Sequence, residues 1–186
     1  MVASYMQLLQ RRYKDKLDND ANDFINYAVD GSKRMQELIH DLLAYSRVGS
    51  QGKELEPVDI ATVLDRVIKN LEKSITDSGA VVTHSTLPTV FADGSQIAQL
   101  FQNLISNAIK YHDESTPRIY VSAKQNEKDV TFSVSDNGIG IDPQYFDRIF
   151  TIFQRLHGKN EYSGTGIGLA ICKKIVERHN GAIWVK

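Results

Sequence analysis

The chain has 186 residues, of which 41% are hydrophobic, so it is long enough for one domain with a real core and a smaller appendage. Its 22 lysines and arginines nearly balance 23 aspartates and glutamates, and the net charge of -1 provides no global basic field for nucleic acid. No apolar run approaches the ~20 residues of a membrane span, and the single cysteine, Cys172, cannot form an internal disulfide, so we predict a cytoplasmic segment without membrane contact.

The first fifty residues carry the pattern of a helical hairpin. A short amphipathic helix is marked by Tyr5, Leu8, Leu9 and Tyr13. The polar stretch 15–22 supplies a turn, and a long helix follows in which apolar residues recur every three or four positions. These residues are Phe24, Ala28, Gly31, Met35, Leu38, Leu42 and Tyr45. Because a lone hairpin buries such a stripe poorly, we predict that residues 1–50 form half of a four-helix bundle in a homodimer.

Residues 48–52 have the composition of a linker, and we set the linker between domains at 51–57. After Pro57 the pattern is mixed, which predicts an α+β domain over 58–186. Its first predicted elements are a helix over 60–76 and short strands at 81–83 and 90–92.

A helix predicted from Asp93 has two chemically different sides. Asp93 is the expected N-cap, and Gln96 three residues later completes a capping-box pattern. The broad apolar face consists of Ile97, Leu100, Phe101, Leu104, Ile105 and Ala108. Asn103, Asn107 and Lys110 cluster at the edge of this face, because residues three and four apart are neighbours on a helix.

A β-hairpin is predicted over 118–136, followed by Asp136-Asn137-Gly138-Ile139-Gly140. The residues of its core face are Ile119, Val121, Ala123, Val130, Phe132 and Val134. Asp136 keeps the same parity, so its carboxylate is expected to point towards the core side, where a carboxylate without a partner would be costly. We therefore interpret Asp136 as the floor of a ligand pocket, with glycines beside it that allow close approach.

Residues 142–163 form a glycine- and charge-rich excursion, in which we expect Phe150 and Phe153 to be packing anchors. The excursion ends at the glycine-rich turn 164–168, which precedes a helix predicted over 169–179. A final strand is predicted over 183–185.

Three elements are thus expected to converge on a nucleotide. The amide oxygens of Asn103 and Asn107 are neutral ligands that suit Mg²⁺, and one of them is sufficient because this ion prefers one or two protein oxygens together with phosphate and water. Lys110 and the helix N-terminus after Gly166 offer positive potential to the same phosphates. Asp136 can accept from an exocyclic amine such as that of adenine, whereas guanine would present a carbonyl oxygen there.

The motifs of these elements resemble those of the ATP-binding domain of the GHKL type, and in particular the sensor histidine kinases of two-component signalling. QLFQNLISNAIKYH at 99–112 resembles the asparagine box, and FDRIFTIFQRLH at 146–157 resembles the phenylalanine box. DNGIGID at 136–142 and GTGIGLAI at 164–171 resemble the two glycine boxes. RMQELIHDLLAYSRV at 34–48 is similar to the second helix of the dimerisation and phosphotransfer hairpin. The resemblance implies a GHKL-type α/β sandwich whose mixed sheet is covered by helices on one face.

The resemblance also implies roles for individual residues in binding ATP and Mg²⁺. It implies Asn107 as the magnesium ligand, with Asn103 as its supporting neighbour in catalysis. Lys110 and Tyr111 are implied near phosphate and ribose, Lys110 with a catalytic role. Asp136 is implied on adenine. The other expected ATP contacts are Gly138, Gly140, Ile141, Arg155, Lys159, Gly164, Thr165, Gly166, Gly168 and Leu169.

Asn103 favours a kinase over a hydrolase of the same fold. The hydrolytic relatives resemble one another in a glutamate at this position, which can activate water as a general base. An amide cannot accept that proton, so we predict transfer of the γ-phosphoryl group to a protein acceptor. The resemblance implies that this acceptor is a histidine and that the receiver domain of a response regulator is the next recipient. A hydrolytic GHKL ATPase, and a non-catalytic module that binds nucleotide or a partner, remain the alternatives.

The chain lacks the segment in which such kinases carry their acceptor histidine followed by an acid and a proline. His40 and Asp41 are followed by no proline, and we interpret His40 as a solvent-exposed surface residue. The acceptor histidine is therefore expected upstream of residue 1, and this fragment is not expected to phosphorylate itself.

Overall fold

The computed structural model describes residues 2–13, 16–50, 52–156 and 164–186. The chain divides into two compact units, Met1–Ala44 and Tyr45–Lys186. The domain limits given above, 1–50, 51–57 and 58–186, stay predictions. Among the described residues, no helix has the length and apolar character needed to cross a membrane.

Two helices account for the start of the chain: α1, Val2–Tyr13, and α2, Asn19–Ser50. The side chain of Asp18 accepts a hydrogen bond from the Ala21 amide (2.8 Å), so α2 begins inside the predicted turn. It also continues through residues 48–50, where a linker was expected, and that prediction is wrong. Val48 is buried and its carbonyl oxygen accepts a hydrogen bond from Gln96 (3.1 Å), and such tertiary contacts override weak local propensity.

The predicted apolar stripe of the first unit lies open in a single chain. Phe24 is 70% exposed and Met35 54%, whereas the buried residues of this stretch are Val29 and Ser32. His40 is exposed, as predicted. The stripe is therefore available to a partner of matching character.

The described residues of the second unit form two small sheets. The first pairs β1, Glu56–Asp59, with β3, Thr89–Ala92, in antiparallel fashion. The second has the order β2, Val81–His84, then β4, Arg118–Gln125, then β5, Val130–Ser135, with β2 parallel and β5 antiparallel to β4. The sequence analysis missed β1, because its Pro57 discourages a strand; with β3 as its one neighbour in this sheet, β1 has a free edge that tolerates proline.

Besides the end of α2, the described residues of the second unit form four helices and a short 3₁₀ turn at Pro143–Tyr145. They are α3, Ile60–Asn70, α4, Glu72–Ser78, α5, Gly94–Lys110, and α6, Gly168–Arg178. The single helix predicted over 60–76 is wrong, because the chain leaves helical geometry at Leu71 (φ -93°, ψ 4°). Leu71 is buried there, so packing rather than a helix-breaking residue ends α3.

The helices cover one face of the three-stranded sheet, as predicted. The register pairs Val121 with Val134 and Ala123 with Phe132, which brings these side chains to the same face. Phe132 meets Phe101 of α5 edge to face, with ring centroids 5.9 Å apart. The opposite face carries exposed residues such as Tyr120. The sheet and α5 thus share one core, which fixes α5 against the strand end at Ser135.

The strand predicted at the end of the chain is absent from the structure. Residues 181–186 form no strand, and 183–185 were expected to form one. A strand is defined by its backbone partner, and the described residues provide none for this segment.

Candidate nucleotide-binding site

Helix α5 is anchored at its start by Asp93. The Asp93 carboxylate accepts hydrogen bonds from the amides of Ser95 (3.0 Å) and Gln96 (3.3 Å), which confirms the predicted N-cap. The predicted capping box also needs a hydrogen bond from the Asp93 amide to the Gln96 side chain, and this part of the prediction is wrong. The Asp93 amide donates to His179 Nε2 instead (3.0 Å). The Gln96 side chain is hydrogen-bonded to the Val48 carbonyl oxygen and to Arg178. The start of α5 is therefore bound to distant parts of the chain as well as to itself.

Asn103 and Asn107 lie one turn apart on α5 but have different surroundings. Asn103 donates from Nδ2 to the carbonyl oxygen of Gly168 (3.2 Å) and so joins α5 to the first turn of α6. The Asn107 side chain makes no hydrogen bond with any residue that the structure describes, and it is only partly exposed. The Asn107 amide is therefore available to a ligand, whereas the Asn103 amide is already hydrogen-bonded to Gly168.

Cys172 lies behind Asn103 and is fully buried. Burial raises the pKa of its thiol to about 12, an effect that a hydrogen bond with Asn103 partly offsets. A neutral thiol of this kind behaves as a small hydrophobic side chain.

Lys110 lies at the opposite end of the same helix edge, beside the glycine-rich turn. Its ammonium donates to the Tyr111 hydroxyl (2.8 Å) and stands 4.2 Å from the centroid of that ring. A Cβ atom on Gly164 would come within 2.9 Å of Lys110 Nζ, and Gly164 has a φ of +140°. The structure therefore brings this cation and the predicted glycine turn together.

The loop after β5 approaches the end of α5 very closely. A Cβ atom on Gly138 would lie 2.3 Å from the carbonyl oxygen of Tyr111, which also accepts a hydrogen bond from the Ile139 amide (3.1 Å). This contact between two backbone segments requires a glycine at position 138, and the contact of Gly138 with a nucleotide stays a prediction.

Asp136 follows the last residue of β5 and is exposed, so its carboxylate is not buried in the core. The strand ends at Ser135, and the backbone turns before the parity of the strand can bury Asp136. Its Oδ1 accepts from the Gly138 amide (2.9 Å), and its Oδ2 makes no hydrogen bond with the residues that the structure describes, so it is open to a donor.

Substitution of Gly138 tests the close approach of these segments. We expect Gly138→Ala to lower the free energy of unfolding of the second unit by about 1–3 kcal/mol, because the added methyl group meets a backbone oxygen that the Ile139 amide holds in place. Gly31→Ala is the control, since nothing lies within 4 Å of its Cβ position and alanine favours a helix by up to about 1 kcal/mol. Urea unfolding of both variants measures the difference, and equal stability of wild type and Gly138→Ala would contradict the contact.

The turn before α6 is shaped by two more contacts. A Cβ atom on Gly166, at a φ of +74°, would lie 2.8 Å from the Gln154 carbonyl oxygen and 3.1 Å from Arg155 Cγ. The Thr165 hydroxyl accepts from the Ile167 amide (3.3 Å). Leu169 lies in the first turn of α6, so this predicted contact residue borders the same turn.

Among the remaining predicted contacts, Gly140 has a φ of +71° and Ile141 is partly buried. Lys159 lies outside the described residues.

Phe150 is partly buried, but Phe153 is 59% exposed with a φ of 64°, so the predicted role of Phe153 as a packing anchor is wrong.

The side chains at this site suit one kind of metal ion. The described residues contain no group of three or more histidine, cysteine, aspartate or glutamate side chains that could hold one. Asn107 provides a neutral oxygen without a hydrogen-bond partner in the part of the chain that the structure describes, which matches an ion that takes one protein ligand and completes its shell with phosphate and water. The residues present therefore fit Mg²⁺ bound together with a nucleotide.

Comparisons with known proteins agree with this geometry. Residues 92–186 match the family described as "Histidine kinase-, DNA gyrase B-, and HSP90-like ATPase". Mycobacterial sensor histidine kinase MprB has a solved structure that aligns with a TM-score of 0.62 and 30% identity, over 71% of this chain and 85% of that one. The chain belongs to this ATPase family, and within it to the sensor histidine kinases.

Two further relatives match the whole length of the chain. Full-length ShkA in complex with AMPPNP aligns with a TM-score of 0.71 and 28% identity, over 100% of this chain and 39% of that one. Cyanobacterial phytochrome A of Nostoc sp. is 55% identical over 185 residues, which cover 100% of this chain and 24% of that protein. The chain spans about a quarter of the length of the curated relatives that it matches first. It contains the ATP-binding kinase domain of a sensor histidine kinase.

Proposed function

We propose that the chain binds Mg-ATP at the α5 edge and supplies the kinase activity of a two-component sensor. Asn107 would ligate Mg²⁺ through its free amide oxygen, and Asp136 would accept from the adenine amine through its open Oδ2. The observation that carries the proposal is the contrast along α5, where the Asn103 amide is bound to Gly168 and the Asn107 amide has no partner among the described residues.

Phosphates are proposed to lie between Lys110 and the N-terminus of α6. The ammonium of Lys110 already stands beside Gly164, and amide groups at the start of a helix favour an anion. Tyr111, Arg155 and Lys159 would add contacts to ribose and phosphate. Bound magnesium would neutralise charge that develops on the transferred phosphoryl group.

The proposed reaction transfers the γ-phosphoryl group to a histidine nitrogen rather than to water. The bond to the ADP oxygen breaks and a bond to the ring nitrogen forms. Asn103 supports transfer over hydrolysis, because its side chain has no basic atom and its donor is used by Gly168. A glutamate at this position could not make the same hydrogen bond.

The assembly of the whole protein is also proposed. The exposed stripe that includes Phe24 and Met35 supports a homodimer through the hairpin, because a second copy would cover it. The proposed acceptor is a histidine upstream of residue 1, and the proposed next recipient is the receiver domain of a response regulator. The cytoplasmic location stays a prediction.

Calorimetric titration with ATP, with and without Mg²⁺, tests the binding proposal. We expect Mg-dependent binding and an ATP turnover far below 1 s⁻¹, a rate that ordinary enzymes reach or exceed. Turnover at about 1 s⁻¹ or faster by the chain alone would favour a hydrolytic ATPase. No measurable binding would refute the site. In the parent protein, binding without any acid-labile phosphohistidine would favour a non-catalytic module.

A further inference from the structure

Asn137 uses every hydrogen-bonding group of its side chain to hold another loop. Its Oδ1 accepts from the Arg118 amide (2.7 Å), and its Nδ2 donates to the Thr116 carbonyl oxygen (3.1 Å) and to Ser115 Oγ (3.2 Å). A backbone donor and a backbone acceptor fix which end of the amide is oxygen. Only an amide of this length combines one acceptor with two donors, so aspartate in its place would face two acceptors.

The loop that Asn137 holds is stiffened by Asp113. The Asp113 carboxylate accepts hydrogen bonds from the amide (2.8 Å) and the hydroxyl (2.5 Å) of Ser115. Because the Ser115 hydroxyl donates to Asp113, its lone pairs remain for the Asn137 donor. The hydrogen bonds therefore run in one direction, from Asn137 through Ser115 to Asp113.

This loop connects the two ends of the proposed ATP site. Residues 111–117 leave α5 directly after Lys110, and Asn137 directly follows Asp136 in the chain. Tyr111 forms a second link, because its carbonyl oxygen accepts from the Ile139 amide (3.1 Å). The spacing between the carboxylate of Asp136 and the α5 edge thus depends on the hydrogen bonds of Asn137.

We infer that Asn137 is a positioning residue that sets the distance between the adenine end and the phosphate end of the site. The inference rests on the proposed function. A ligand that spans both ends gains affinity from their fixed spacing, as linked binding groups do. A ligand that touches one end gains nothing from the spacing.

Asn137→Asp, Ser115→Ala and the control Asn126→Asp test this inference on the full 186-residue chain. Asn126→Asp is the same substitution at the far end of the β4–β5 hairpin, where the Asn126 side chain has no hydrogen bond among the described residues. We expect Asn137→Asp to weaken the binding of Mg-ATP by about tenfold, the usual effect of a lost hydrogen-bonding partner. Adenine, which lacks the ribose proposed to contact Tyr111, reaches the Asp136 end alone. Its affinity, followed by NMR titration, should change by less than about twofold, and so should both affinities in the control.

Ser115→Ala keeps the inference testable if Asn137→Asp does not fold. It removes one link of the chain, and we expect a smaller loss of Mg-ATP affinity, about threefold, with adenine affinity unchanged. Equal losses for ATP and adenine, or no loss for either ligand, would overturn the inference while wild-type binding upholds the proposed function. Failure of the wild type to bind ATP would instead refute the proposed function itself.

Discussion

We expect Asn107→Ala to weaken Mg-ATP binding by about a hundredfold, equivalent to about 2.7 kcal/mol, without changing the stability of the fold. Stability should be unaffected because the amide makes no hydrogen bond with any described residue, so its removal leaves no protein group unpaired. Affinity should fall because the metal ion loses its proposed protein oxygen and the phosphates lose the ion's charge at that position.

The metal dependence separates this role from a simple packing effect. In excess chelator, wild type and Asn107→Ala should bind ATP equally weakly, since neither holds the ion. Asn103→Ala is the matched comparison one turn away, and it should lower thermal stability because the Gly168 carbonyl oxygen loses its donor. Calorimetry with and without Mg²⁺ measures the first effect and thermal unfolding the second. A hundredfold loss that persists in chelator would refute the magnesium role of Asn107.

Local patterns predicted the parts of the site that depend on a few neighbouring residues. The N-cap at Asp93, the helix edge with Asn103 and Asn107, and the register of the β4–β5 hairpin all follow from spacings of two, three or four. The motif order then indicated that these elements meet. Packing against one shared core, through pairs such as Phe101 and Phe132, makes that meeting possible.

Contacts between distant residues could not be predicted in this way. The bond from the Asp93 amide to His179 joins positions 86 apart, and no local pattern specifies it. Asn137 lies inside a glycine motif, but its spacing gives no sign of the loop that it binds. The exposed position of Asp136 depends on where β5 ends, and alternation of residue types does not mark that end to a single position.

A network around Arg178 binds α6 to the start of α5. Arg178 Nη1 donates to Gln96 Oε1 (2.8 Å) and lies 3.3 Å from Asp93 Oδ2, and Nη2 donates to the Lys53 carbonyl oxygen (2.6 Å). The Asp93 side chain is 1% exposed and that of Arg178 23%. This is therefore a largely buried ion pair in which each charge has further hydrogen bonds.

Hydrogen bonds also determine the charge state of Asp93. Burial raises the pKa of this carboxyl, but hydrogen bonds from the Ser95 hydroxyl and from the amides of Lys53, Gln96 and Ser95 outweigh that effect and hold the pKa below its ordinary value. A lowered pKa stabilises the fold at pH values above the unfolded pKa of about 3.9, and this contribution is lost as the pH falls through the folded pKa. In Asp93→Asn this part of the acid sensitivity should be absent.

We expect Arg178→Ala to lower the free energy of unfolding of the second unit by about 2 kcal/mol at neutral pH, because removal of one partner leaves the buried Asp93 charge without its cation. Lys173→Ala is the matched control on the same helix. Its pair with Glu177 (3.9 Å) is about half exposed on both sides, so the change should be below about 0.5 kcal/mol. Urea unfolding followed by circular dichroism measures both variants. Similar stabilities for Arg178→Ala and Lys173→Ala would mean that the buried pair contributes no more than the surface pair.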